Sequence, residues 1–109
     1  MAILSNDALK YKNNLLGDNM TDFKIGSHNW SGISKLVEEA GEVMQVCGKL
    51  IGTGGKLEHW DGGPSLKDRL EEELADLQAA IEFVSKINHL DQDKINERVF
   101  AKYQLFRMA

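Results

Sequence analysis

A glutamate stands where a leucine would be expected. From Leu66 onward, Leu70, Leu77, Ala80, Val84 and Ile87 recur at steps of three and four, the repeat of one helical face. One member is missing between Leu70 and Leu77, and the residue in that slot is Glu73. At about 100° per residue, Glu73 falls among Leu66, Ala80 and Val84, inside the apolar arc, with Asp76 at its border. Burying an unpaired carboxylate costs roughly several kcal/mol. That is a large share of the stability of a small domain. This helix can therefore pack only if a cation or a basic partner offsets Glu73. Glu71 and Glu82 point the other way and read as an ordinary solvated face.

The rest of the chain sets a frame of helices around that position. Residues 29–51 carry Ile33, Leu36, Ala40, Val43, Cys47 and Leu50 at helical spacing, with Gly52 as a stop. Residues 93–108 place Ile95, Val99, Tyr103 and Phe106 on one side of a last helix. Leu4, Ala8, Tyr11 and Leu15 predict a short first helix, and 17–26 reads as a loop. Residues 52–64, GTGGKLEHWDGGP, hold five glycines and the only proline, so they form a loop, and Ser65 follows as an N-cap. No strand, repeat or second domain is evident. The chain, 109 residues long, predicts one all-α domain, an antiparallel helical bundle over 1–109.

A second acidic pair precedes the first. Glu39 and Glu42, with Glu38 beside them, lie in LVEEAGE, and Glu73 and Asp76 lie in LEEELAD. Each pair is spaced i, i+3, so its members are neighbours on one helix face. Two such helices packed together could bring four carboxylates to one point, and oxygen ligands of this kind suit Mg²⁺. Most acidic pairs on helices are simply solvated, and Glu42, near Lys35, Glu38 and Lys49, also fits a salt-bridged surface. Sharing one ion would require the helix of Glu39 to bury a second face. That points to a dimer or larger assembly.

The order ExxE then ExxD on consecutive helices resembles the signature of the MazG-like, all-alpha NTP pyrophosphatase superfamily. The residues that carry the likeness are Glu39-Ala-Gly-Glu42 and Glu73-Leu-Ala-Asp76. Around them stand KLVEEAGEVMQ, EEELADLQAAIEFV and INERVFAKY, and the likeness spans about 28–103. The 30 residues between Glu42 and Glu73 exceed the family's usual spacing, with the excess in the glycine-rich loop. The resemblance implies a MazG-like bundle, completed as a homodimer or homotetramer. It also implies cleavage of a nucleoside triphosphate, preferably a deoxynucleotide, to monophosphate and pyrophosphate, in a nucleotide house-cleaning role. Glu39, Glu42, Glu73 and Asp76 would then bind Mg²⁺, with Mn²⁺ as a substitute. Glu38 is the candidate general base. Trp30, Lys35, Asn96, Lys102 and Tyr103 are the candidate substrate contacts.

Each of those contacts has a plainer reading. Trp30 could stack on a base or simply pack at a helix start. Asn96 and Lys102 could be surface residues, and Tyr103 a core one. The GTGGK segment lacks Walker spacing and reads as a mobile loop or lid; His59, Trp60 and Asp61 at its tip could close over a nucleotide, the plainer reading being an exposed loop. His28, His59 and His89 show no zinc spacing, and Cys47 reads as core.

A net charge of −4 argues against capture of a nucleic-acid polymer, and no apolar run is long enough to span a membrane. A single cysteine and the lack of a secretory pattern suit the cytoplasm. Two other functions fit the acidic pattern. One is phosphoribosyl-ATP pyrophosphohydrolase of histidine biosynthesis, which the long loop fits less well. The other is a non-catalytic interaction protein that offers an acidic face to a basic partner.

Overall fold

The computed structural model describes residues 20–109. These form a 3₁₀ turn at Met20–Phe23 and three α-helices: α1 (Ile33–Gly52), α2 (Leu66–Ile87) and α3 (Gln92–Met108). No described residue lies in a strand. The all-helical expectation holds, and the observed helix ends lie within a few residues of those read from periodicity. The expected helix around Leu4, Ala8, Tyr11 and Leu15 lies outside the described residues.

Local chemistry sets the helix ends. Gly32 opens α1 with φ 87°, and its carbonyl accepts from Leu36 N at 3.0 Å. Any Cβ there would meet the Phe83 ring at 2.8 Å, so both conformation and space demand glycine. Ser65 caps α2, its Oγ accepting from Asp68 N at 3.1 Å. Asp91 caps α3 in the same way, accepting from Lys94 N at 3.1 Å.

Helices α1 and α2 pack as an antiparallel pair. The start of α1 at Gly32 meets Phe83 and Val84 near the end of α2, and Asn88 Nδ2 donates to Ser31 O at 2.9 Å. The shared core is small: Val46, Leu66, Ala80 and Val84 are its buried apolar residues. On α2 the buried and half-buried line Leu66, Leu70, Glu73, Leu77, Ala80, Val84 follows the stripe read from sequence except at its end, where Ile87 is exposed. On α1 the inward line is Leu36, Glu39, Val43, Val46 and Leu50, rotated from the expected one. Cys47, expected in the core, is exposed. The reason is that α1 carries a second apolar line. Val37, Met44 and Ile51 face outward, the last 82% exposed.

Helix α3 packs closely against neither partner. Its Val99, Phe100, Tyr103 and Phe106 are exposed rather than buried. The described chain is thus an open arrangement, not a closed bundle. Its radius of gyration is 16.4 Å, against about 13 Å for a compact domain of roughly 100 residues.

Candidate metal centre

The two inward lines meet at their acidic members. Glu39 and Glu42 from α1 and Glu73 and Asp76 from α2 each place one carboxylate oxygen within 4.8 Å of the others. Among the described residues this is the one grouping of histidine, cysteine and acidic side chains suited to a metal ion. Antiparallel packing brings it about, because each pair sits near the middle of its helix. The four sites differ in depth: Glu39 is buried, Glu42 and Glu73 are half-buried, and Asp76 is exposed. Only 6% of Glu39 remains accessible. The sequence ranked Glu73 as the deepest of the four, but Glu39 lies deeper.

The electrostatics of the cluster are unbalanced. Lys35 Nζ lies 3.1 Å from Glu39 Oε1 and 3.4 Å from Glu38 Oε2. These carboxylates hold the Lys35 ammonium above its ordinary pKa, with the Glu39 hydrogen bond as the leading cause. Glu42 is raised to about 7, first by its hydrogen bond with Glu73 and then by desolvation. Two oxygens, Glu39 Oε2 and Glu73 Oε2, are buried without any hydrogen-bond partner. Buried, unpartnered carboxylate oxygens are rare and destabilising. A hard cation at this point would satisfy both, so the donor set fits Mg²⁺.

A cavity of about 530 Å³ opens over the cluster. Lys35, Glu39, Glu42 and Asp76 give it a polar wall, and Ala80 and Phe83 an apolar one. This shape suits a ligand with a charged end held at the carboxylates. Of the expected substrate contacts, Lys35 lines this cavity. Trp30 does not: it sits in the turn before α1 at φ 44°, 57% exposed. Glu38 is half-buried beside Lys35, outside the cavity wall. Asn96, Lys102 and Tyr103 ride on the detached α3 and are not brought to the cluster in a single chain. Asn96 Oδ1 accepts from Gln92 Nε2 at 2.9 Å, and Arg107 lies 6.0 Å over the Tyr103 ring.

The glycine-rich loop is not loosely hung. Asp61 Oδ1 and Oδ2 accept from Arg69 Nη2 and Nη1 at 2.7 and 2.9 Å, and Oδ1 also accepts from Gly63 N at 3.0 Å. Arg69 Nε donates to Pro64 O at 2.8 Å. His59 Nδ1 lies 3.0 Å from Asp61 Oδ2 but outside hydrogen-bond geometry, and Lys49 Nζ is 3.6 Å from the same oxygen. The Arg69 guanidinium, above all, holds the Asp61 carboxyl well below the usual range. Sequence reading noticed His59, Trp60 and Asp61 but not this clamp, because Arg69 lies eight residues away and looks like any surface arginine. No helix among the described residues is long and apolar enough to cross a membrane.

No protein-family model matches the chain, and no curated protein or solved structure is detectably similar to it.

Proposed function

We propose that the chain is a Mg²⁺-dependent nucleoside triphosphate pyrophosphohydrolase that cleaves a (d)NTP to its monophosphate and pyrophosphate. The observation that carries this reading is the convergence of four carboxylates on two facing helices, with two buried oxygens left unpartnered. An acidic face made for a basic protein would keep its oxygens accessible. The likeness of ExxE and ExxD to the MazG-like signature supplies the reaction class.

Glu39, Glu42, Glu73 and Asp76 would hold Mg²⁺, or Mn²⁺ in its place, which neutralises phosphate oxygens and makes the phosphorus more electrophilic. Lys35 offers a further cation on the cavity wall. Glu38, paired with Lys35 outside the cavity wall, would have to turn toward the cavity to take the proton as water adds to the α-phosphorus. The bond from that phosphorus to the α–β bridging oxygen breaks, and pyrophosphate leaves with the electron pair. The outward apolar line of α1 and the exposed face of α3 support a homodimer or homotetramer in which these surfaces are covered. Removal of surplus deoxynucleotides from the cellular pool is the role this activity would serve in the cytoplasm.

The test is pyrophosphate release over the common and damaged (d)NTPs and phosphoribosyl-ATP, with and without Mg²⁺. Mg²⁺-dependent release from at least one substrate is expected, and its loss in Glu73→Gln. A flat panel would overturn the reading. If Glu38→Gln turned over normally while Glu73→Gln did not, Glu38 would not be the base.

A further inference from the structure

A second recess lies further along α1, between that helix and the glycine-rich loop. On α1, Gln45 and Lys49 stand three and seven residues beyond Glu42, the latter about 10 Å further along the axis on the same face. Across from them the clamped loop presents His59 and Trp60. The recess between has a volume of about 600 Å³. Its helix wall includes Gly48 and Gly52, one turn apart, and each has open space where a side chain would project. Its loop wall is the Trp60 indole, 90% exposed, with its centroid 5.1 Å from the His59 imidazole.

An exposed indole offers a large flat face to a ligand. Here the Asp61–Arg69 bridge fixes the turn that carries it. Bare helix on one side and an exposed aromatic ring on the other leave room for a flat ring between them. From those observations, and resting on the pyrophosphohydrolase reading, we propose that this slot receives the nucleobase of the triphosphate. Trp60 supplies the stacking face, and Gln45 the amide that meets the base edge. Phosphates held through a cation at Glu42 and Glu73 would leave the sugar and base free to extend along α1 toward Lys49. Stacking on an indole tolerates any base, so selectivity would lie with Gln45.

The test is calorimetric binding with Mg²⁺ of two probes, a non-hydrolysable α,β-imido deoxynucleoside triphosphate and inorganic tripolyphosphate. Trp60→Ala should weaken the nucleotide about tenfold or more, with tripolyphosphate affinity held within about twofold, and Trp60→Phe should recover most of the loss. Gly48→Leu removes a mid-helix glycine and fills the slot, so it should melt at or above wild type yet bind nucleotide more weakly. Unchanged nucleotide affinity in both Trp60→Ala and Gly48→Leu would overturn the slot while leaving the metal-site reading intact. If Trp60→Ala changed sedimentation and not nucleotide affinity, the indole would be a contact between copies instead. If wild type bound neither probe, the pyrophosphohydrolase reading itself would fall, and the slot with it.

Discussion

Glu39 and Glu73 occupy equivalent places. Each replaces an apolar residue in the line that its helix turns toward the other, and each keeps one buried oxygen without a partner. Those unpartnered oxygens destabilise the metal-free protein. Glu73→Gln should therefore raise the metal-free stability by about 1 kcal/mol, a shift of roughly 4–8 °C in melting temperature. The same variant should lose Mg²⁺ affinity by more than the roughly 10- to 100-fold that follows loss of a supporting residue. Thermal melts with and without Mg²⁺ read both effects, and a variant stabilised by Mg²⁺ as strongly as wild type would exclude Glu73 as a ligand. Glu42 adds a pH signature. It holds its proton up to about pH 7 in the folded protein, against an ordinary value of 4.5. The fold thus binds that proton more tightly than the unfolded chain does. Its contribution is complete below about pH 4.5 and is lost as pH rises toward 7. In metal-free buffer, the stability of wild type relative to Glu42→Gln should fall across that interval. A constant difference would mean that Glu42 is ionised throughout.

At the scale of the element, two devices hold the groove in shape. Gly32 lets the start of α1 lie against Phe83. Gly32→Ala combines a left-handed backbone with an overlap against that ring, and should lower stability by about 2 kcal/mol in a urea titration. The second device is the Asp61 clamp, which spans the end of α1 and the start of α2 through Lys49 and Arg69. Asp61→Asn should speed amide hydrogen exchange across the loop tip, most of all at Gly63, whose N–H the carboxylate accepts. Global melting should move little, because the clamp is solvent-exposed and surface ion pairs add little to stability. Unchanged exchange at Gly63 would mean that the loop is held by its backbone alone.

At the scale of the whole molecule, the dominant fact is uncovered apolar surface. Val37, Met44 and Ile51 on α1, Leu74 and Ile81 on α2, and Val99, Phe100 and Phe106 on α3 all lie open. Among the described residues, four buried apolar side chains make a thin core for three helices. A homo-oligomer that covers these faces predicts a sedimentation mass of at least two chains, and Met44→Asp or Phe100→Asp should reduce it. A wild-type monomer at micromolar concentration would rule out that assembly.

The sequence by itself determined the three described helices, the Ser65 cap and the anomaly at Glu73. Those follow from periodicity and short-range hydrogen bonding, which depend only on near neighbours. Glu39 was legible in principle, in the line Leu36, Val43, Val46 and Leu50. However, α1 is apolar on two sides, and periodicity does not say which side meets α2. Tertiary packing decided that, turning Glu39 inward and leaving Cys47 outside. It also decided that Arg69 grips Asp61 and that α3 stands clear of the pair. Each of these depends on which surfaces meet, and that choice is made by burial summed over the whole chain rather than by any local run of residues.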